Sequence, residues 1–468
     1  MRYRAGEVAA ACGGRLAAGA PEAPVTGVSI DSRTLRPGEA FVALRGSRVD
    51  GHRFAAEAAA RGAAALIVSR WPLPEPLPRP VPVIVVDDTL AALTRWAEAH
   101  RQRFDVPVIG VTGSVGKTTT KEMIAAVVGR RWRVLKSHGN FNNEIGVPLT
   151  VLSWEPAHGA AVFELAARAA GDIRHLCAVV RPAVGVVTNV REVHLENLGS
   201  LEGVAAAKAE LVEALPASGA AILNADDPLV MAMAGKTRAR VVTYGLASGA
   251  AVRAEDPAFH DPFRITFTLA WPRGRAQVSI PAAGGHLVHN ALAAAAVALV
   301  LGLPAGDVVD GLAAFRAGDR RLEIHEAAGV TVVDDSYNAS PASLRAALDA
   351  AARLPRAGRL VVVLGDMLEL GPASRRAHLD AGAWAAEVAD VFLAVGNGMA
   401  EAVAEARRRG MPPEAARHFA GREELTAALK DLLREGDVVL IKGSRGMAMD
   451  RVADAVLAGF DAPVETGS

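Results

Sequence analysis

The chain has 468 residues, and its 51 basic side chains balance 51 acidic ones, so no net charge draws it to nucleic acid or to an anionic membrane. Any phosphate ligand must be gripped locally. Hydrophobic residues make up 51% of the sequence, yet no apolar run approaches the ~20 residues of a membrane span, which predicts a water-soluble protein without one. Cys12 and Cys177 are the only cysteines, too few for a disulfide framework or a cysteine-built zinc site. With an N-terminus that lacks a continuous apolar segment of signal type, they point to the cytoplasm. The length prior is about three domains.

Residues 25–69 read as a small α/β module, with VTGVSIDSR and AFVALRG as strands and FAAEAAARGAAALIVS as a helix entering another strand. Its loops carry Asp31, Ser32, Arg33, Arg45, Arg48, Asp50 and His52, a polar surface with weak potential for anions. Alternating prolines from Pro72 to Pro82 exclude helix and predict an external extended loop. VIVVDD closes the module, and Leu90 to Phe104 has helical periodicity.

The stretch VPVIGVTGSVGKTTT, Val106 to Thr120, reads as a buried strand, a tight glycine turn and the start of a helix. A nucleotide phosphate would sit on that helix's N-terminus, where backbone N–H groups lack partners and the dipole favours negative charge. Lys117 would neutralise β/γ-phosphate oxygens, and the Thr118 hydroxyl can ligate magnesium. The spacing departs from the strict Walker pattern, because Gly113 lies only three residues before Gly116. Only seven of the basic residues are lysines, so a lysine inside a motif carries more information than usual.

From there strand and helix alternate, the pattern of a parallel sheet covered on both faces, in which ligands collect at the carboxyl ends of strands. AAVFEL ends in Glu164, AVGVVTNV ends in Thr188 and Asn189, and His194 follows shortly. Taken singly, Glu164 is a solvent-facing carboxylate and His194 a loop histidine; beside a phosphate loop, Thr118, Glu164 and His194 form a candidate magnesium and nucleotide constellation. GNFNNEIGVPLT packs Asn140, Asn142, Asn143 and Glu144 into a segment too polar for a core strand. Lys208 lies among alanines on an amphipathic helix and by itself reads as an exposed side chain. AAILNADDP follows with Asn224, Asp226 and Asp227; residues 238–281 are β-rich (VVTYG, FRITFTL, AQVSIP), and HLVHNALAAAAVALVLGL returns to helix.

FRAGDRR, Phe315 to Arg321, breaks the pattern, and a third α/β series follows with strands at Val330–Val333, Leu360–Leu364, Val391–Val395 and Val438–Ile441. It is Rossmann-like in class but has no GxGxxG, so no dinucleotide is implied. Each strand ends in a polar segment, DDSYNASP, GDMLELG, GNGM and KGSRGM, which predicts a ligand-facing rim. Ser340-Pro341 is a helix cap and first-turn pair.

In order, TGSVGKTT, GNFNNEIGVP, FEL, HLENLGS, AAAKAEL, NADDP, HLVHNALAAAA, DDSYNASPASL, LGDMLELG and KGSRGM resemble the Mur ligases of bacterial peptidoglycan synthesis, over about residues 25 to 455. The resemblance implies three α/β domains: a UDP-sugar domain with its linker helix (1–104), a central P-loop ATPase domain with a mainly parallel sheet (105–317), and a C-terminal Rossmann-like domain (318–468). It implies ATP and Mg2+ as cofactors and an acyl phosphate intermediate attacked by an amine. DDSYNASPASL and KGSRGM favour the branch that joins UDP-N-acetylmuramoyl-tripeptide to D-alanyl-D-alanine, working as a monomer; the alternatives are another Mur ligase, a folylpolyglutamate synthase or a non-catalytic nucleotide switch. Carried over by position, Gly113, Ser114, Val115, Gly116, Lys117, Thr118 and Thr119 hold the phosphates. Thr118, Glu164, His194 and Lys208 serve the magnesium ions, Lys208 as a carbamate formed with carbon dioxide. Arg321 meets the γ-phosphate as the domains close, so that Lys117, His194, Lys208 and Arg321 are the catalytic set. Asn290 contacts adenine and Asp335 the ribose. Ser32 and Arg33 take the UDP end, and Asn140, Asn143, Tyr337 and Asn338 the substrates. Two departures stand out. Ala166 replaces a glycine beside Glu164, which predicts a less free strand end, and Leu287 replaces the first asparagine of the HNxxN adenine motif, leaving His289 as a substitute donor or acceptor.

Overall fold

The computed structural model describes residues 2–46, 49–73, 75–193, 195–260, 264–281, 284–316, 318 and 320–460. His194 lies outside the described residues.

The phosphate-loop strand, Val108–Thr112, is buried at every position, as a parallel strand covered on both faces must be. It pairs in parallel with Ala160–Glu164 on one side and Val184–Val187 on the other, in a register that sets Glu164 opposite Val111 and Val187 opposite Thr112. Three strands thus end at one level, and the polar residues at or just after their ends, Thr112, Glu164 and Thr188, form one rim. The full sheet has nine strands, running from Val134–Lys136 through these three to Ala220–Asn224, Arg240–Gly245, Val252–His260, Arg264–Trp271 and Gly274–Ile280, the last three antiparallel to one another. The strand Val252–His260 falls in the stretch expected to be β-rich but is not one of the three segments named there: VRAEDPAFH carries charge and proline, and its burial alternates only over its first four residues.

The N-terminal sheet has five strands in the order Arg15–Ala18, Val83–Val85, Ala65–Val68, Glu39–Val42 and Gly27–Ser29. Residues 3–24, read only for targeting signals, also build structure, including the helix Ala5–Cys12. The expected linker helix is Thr89–Arg101, capped by Asp88, whose carboxylate accepts the Ala91 N–H at 2.7 Å. Its buried residues Leu93, Trp96 and Ala97 share one core with Val8, Ile67 and Ile84 of the first domain and Val108, Val151 and Phe163 of the second. His100 sits in that seam, its Nε2 3.0 Å from the Trp154 carbonyl and its Nδ1 3.0 Å from the Tyr3 hydroxyl.

The C-terminal sheet has six strands in the order Glu323–Ala327, Val330–Asp335, Val438–Lys442, Leu360–Gly365, Val391–Val395 and Ala416–Phe419. The four expected strands are present; the antiparallel edge strand Glu323–Ala327 and the short Ala416–Phe419 are additions. Asp335 and Lys442 fall opposite each other in register, which brings an acid and a base together at the strand ends. Ser340 caps the helix Pro341–Ala352 as expected, with proline in its first turn. No helix among the described residues is long and apolar enough to cross a membrane.

Candidate active site

The two loop glycines are needed where they stand. Gly113 (φ 141°) would place a Cβ 2.0 Å from the Thr188 hydroxyl, and Gly116 (φ 84°) would place one 2.9 Å from Asn290 Oδ1. The tight loop is braced by the neighbouring strand end. Asn189 accepts the Val115 N–H at 2.9 Å and donates to the Val115 carbonyl at 3.0 Å, Thr188 donates to that carbonyl at 2.7 Å, and the Asn189 carbonyl accepts the Ser114 N–H at 2.9 Å. The Ser114 and Val115 amides, expected to hold phosphate, are therefore engaged by Asn189. Gly116, Lys117, Thr118 and Thr119 open the helix Lys117–Val128 and carry its first-turn N–H groups. Thr188 and Asn189 were visible in sequence only as a strand end; their role is to shape the loop.

Lys117 Nζ donates to the carbonyls of Gly113 (2.9 Å) and Ser114 (3.0 Å), folded back on its own loop. Burial holds its pKa below the ordinary lysine range, against the pull of Glu164 and with a further push from Arg321.

Glu164 is buried, and its carboxylate accepts from the Thr118 hydroxyl at 2.6 Å and the Asn142 amide at 2.8 Å. No lysine, arginine or histidine among the described residues lies within ion-pair distance of it. A buried carboxylate held by neutral donors alone, next to a hydroxyl oxygen, is a cation-seeking arrangement of hard oxygen donors. Among the described residues no cluster of three or more His, Cys, Asp or Glu surrounds it, which suits an ion that takes one or two protein ligands and draws the rest from phosphate and water. Of the neighbouring asparagines, Asn142 touches Glu164 and Asn140 lines the cleft, while Asn143, expected to meet substrate, is exposed and accepts the N–H groups of Ile145 (3.2 Å) and Gly146 (2.9 Å) at the start of the next helix. Ala166 does not take a left-handed conformation and donates its N–H to the Asn142 carbonyl at 3.0 Å, so alanine fits there without strain.

Lys208 corrects its reading as an exposed side chain. It is 1% exposed on the helix Leu201–Glu213, with no hydrogen bond or ion pair among the described residues. Burial first, then Lys117, lowers its pKa to about 7, against Asp172, Glu164 and Glu210.

Across the cleft, Arg321 lies between two non-glycine residues in the left-handed region, Arg320 (φ 57°) and Leu322 (φ 51°). Both are tied down: Arg320 pairs with Asp334 (3.1 Å) and Asp454 (2.9 Å), and the Leu322 N–H donates to Asp335 at 3.2 Å. The Arg321 guanidinium stacks on Tyr337, 4.0 Å from the ring centroid, and its buried Nε has no hydrogen-bond partner among the described residues. Asp335 is 2.6 Å from Lys442, yet burial outweighs that cation and raises its pKa. Asn290 is 6% exposed, and its Nδ2 also lacks a partner among the described residues. His289 Nε2 is 2.8 Å from Asp226.

Ser114 to Thr119, Asn140, Glu164, Asn290, Arg321, Asp335, Tyr337 and Asn338 line one cavity of about 960 Å3 between the central and C-terminal domains; Lys208 and Asn143 are not among its lining residues. Ser32 and Arg33 stand apart in the N-terminal domain, Ser32 donating to Glu57 at 2.9 Å and Arg33 paired with Asp31 at 2.7 Å.

Leu287 belongs to the apolar core of the central domain. Leu287→Asn, which restores the asparagine of the motif, is therefore expected to destabilise the protein by ~1–3 kcal/mol through a buried amide while tightening ATP by at most about 1 kcal/mol. Urea unfolding with and without ATP separates the two effects.

Residues 24–101 match the Mur ligase family, catalytic domain; residues 111–298 the Mur ligase middle domain; and residues 320–445 the Mur ligase, glutamate ligase domain. The UDP-N-acetylmuramoyl-tripeptide–D-alanyl-D-alanine ligase of Escherichia coli is 39% identical over 435 residues, 92% of this chain and 93% of that one. The Bacillus subtilis protein of the same name is 37% identical over 431 residues, 92% of each chain. A crystal structure of MurF from Acinetobacter baumannii superimposes with a TM-score of 0.88 at 32% identity, covering 98% of this chain and 99% of that one. MurF ligase from Thermotoga maritima in complex with ADP gives 0.80 at 28% identity, covering 93% and 98%.

Proposed function

The chain belongs to the Mur ligase family, and from that membership we propose that the interdomain cleft is where its amide bond is made, with the residues described above in the working roles. The chain is an ATP-dependent, ADP-forming ligase that joins D-alanyl-D-alanine to UDP-N-acetylmuramoyl-tripeptide through an acyl phosphate, a step in peptidoglycan precursor synthesis. The observation that carries the assignment of the site is the meeting of a phosphate-binding helix start, a cation-seeking carboxylate and a cross-domain arginine in one cleft.

An oxygen of the tripeptide's terminal carboxylate bonds to the γ-phosphorus as the β–γ bridge breaks and ADP leaves. The dipeptide amine then attacks the acyl carbon, loses a proton, and expels phosphate. Turning a carboxylate into an acyl phosphate replaces hydroxide by a far better leaving group. Lys117 leaves its loop carbonyls for the β/γ-phosphate oxygens, and the first-turn N–H groups hold the phosphate chain. Arg321, whose orphan Nε needs an acceptor, adds positive charge from the other wall as the domains close. Magnesium, held by Thr118 and Glu164, with the Lys208 carbamate serving a second ion, would neutralise charge on the phosphates. Asn290, whose amide has no partner among the described residues, is assigned to the adenine, and Asp335, committed in part to Lys442, to the ribose. Ser32 and Arg33 are assigned to the UDP end. Two buried free cysteines suit a cytoplasmic protein.

The assay is ATP-dependent joining of UDP-N-acetylmuramoyl-tripeptide to D-alanyl-D-alanine, with other amines as controls. Phosphate release should need both the carboxyl donor and the dipeptide; nucleotide binding without coupled release would instead mark a switch.

A further inference from the structure

The cleft is lined by several cations, and most are already engaged. Arg191 is paired with Asp227 at 2.7 Å, Lys442 with Asp335 at 2.6 Å, and Lys117 rests on its loop carbonyls. Arg353 lies over the Phe259 ring at 5.2 Å. Tyr337 carries two guanidinium groups on one ring, Arg321 at 4.0 Å and Arg445 at 5.3 Å from the centroid. Arg445 has no carboxylate partner among the described residues, and its side chain reaches the cleft from the exposed turn after the strand Val438–Lys442. Its backbone N–H is held by Asn338 Oδ1 at 3.4 Å, on the same DDSYNASP segment as Tyr337.

The two arginines differ in depth. Arg321 has a buried Nε and acts electrostatically on Lys117, which places it at the phosphoryl end. Arg445, at the same ring, is exposed, whereas Arg321 is half-buried. Sharing a ring keeps their guanidinium carbons no more than about 10 Å apart, a span that an extended dipeptide, at most ~7 Å over its two residues, can bridge with one charge-assisted hydrogen bond. An acceptor whose amine attacks beside Arg321 would end its carboxylate at Arg445.

We propose that Arg445, seated on Tyr337, binds the terminal carboxylate of the incoming dipeptide and so sets the acceptor's direction and length. A planar fork matches a carboxylate in two parallel hydrogen bonds, and its stacked face keeps it extended while it waits. The inference rests on the ligase reading of the cleft. It makes Tyr337 a positioning residue, acting through Arg445 on the acceptor and through Arg321 on the phosphoryl group.

The test compares D-alanyl-D-alanine with D-alanyl-D-alaninamide, which keeps the amine and loses the negative charge, in the full-length enzyme with ATP and UDP-N-acetylmuramoyl-tripeptide. Wild type should prefer the acid at least tenfold in kcat/KM. In Arg445→Ala the KM for the acid should rise 10- to 100-fold and the rate with the amide should fall no more than a few fold, so the preference collapses towards one. Arg445→Lys should recover part of it, and the KM for ATP should stay within twofold throughout. Equal loss with both acceptors, an undiminished preference in Arg445→Ala, or loss of the preference instead in Arg168→Ala, at another arginine that lines the cleft, would overturn the proposal. A wild-type enzyme that joins neither acceptor would overturn the ligase reading itself, a different result from an active enzyme that ignores Arg445.

Discussion

Lys117→Ala should lower the rate of ligation by ~10²–10³, because it removes the one ammonium positioned where negative charge concentrates on the transferring phosphoryl group. The starting geometry makes the loss specific. Nζ rests 2.9 and 3.0 Å from two loop carbonyls, so the lysine is held at the phosphate site before nucleotide arrives and has only to exchange weak neutral acceptors for charged ones. The fold should tolerate the change, since Asn189 and Thr188 still hold the loop when the two lysine hydrogen bonds are lost. Lys117→Arg should not rescue the rate: its longer planar fork cannot fold into the space beside Gly113 and Ser114. Steady-state kinetics with a parallel melting curve decide the matter. A variant that turns over within a few fold of wild type would remove this loop from the chemistry.

Lys208→Ala should be nearly inactive as well, for a different reason. A lysine 1% exposed, without a hydrogen-bond or ion-pair partner among the described residues and with its pKa near 7, is neutral for much of the time at physiological pH, and only the neutral amine attacks carbon dioxide. The nitrogen bonds to the carbon, one proton leaves, and the product is a carboxylate on an arm longer than that of aspartate or glutamate. Formate or acetate at high concentration should restore part of the activity of Lys208→Ala by filling the vacated space. Wild-type activity should fall when carbon dioxide is stripped and return with bicarbonate. Stability offers an independent reading. Because the folded pKa is depressed from 10.5 to about 7, the unfolded chain binds a proton that the folded one releases across that window, so stability of the carbon dioxide-free protein should rise with pH through it. Lys208→Met should therefore be more stable than wild type at pH 6 by at least about 1 kcal/mol, with an advantage that shrinks by pH 9. An active Lys208→Ala, or a Lys208→Met less stable than wild type at pH 6, would refute this account.

What could be read in advance was whatever repeats along the chain. The buried strands are continuous apolar runs, and the polar residues that end them could be placed before their partners were known, Glu164 at a strand end of the central sheet and Asp335 and Lys442 on the rim of the C-terminal one. Burial of a lone polar residue could not. The alanines around Lys208 let it pack inside as readily as they would have left it outside, and only the neighbouring elements decide. Asn142 and Asn143 are adjacent and chemically identical, yet one side chain reaches Glu164 and the other caps a helix. The left-handed turns at Arg320 and Leu322 bear no glycine or asparagine to announce them; they are imposed by Asp334, Asp454 and Asp335, which hold both flanks of Arg321. The strand Val252–His260 was hidden by its proline and charges, which an antiparallel extension open to water accommodates.

The seam around Trp96 and His100 bears on how this protein can be taken apart. One apolar core runs through the helix Thr89–Arg101 into both the N-terminal and the central sheets, whereas each apolar cluster of the C-terminal sheet is made of its own residues alone among those described. A break after the linker helix would leave Val108, Val151 and Phe163 bare, so the first two domains are one inheritable and foldable module. The third is joined to them through a charged hinge and a wet cleft. In recombination or in design, it is the C-terminal domain, with the acceptor arginine it carries, that can be exchanged as a cassette, and with it the choice of amine.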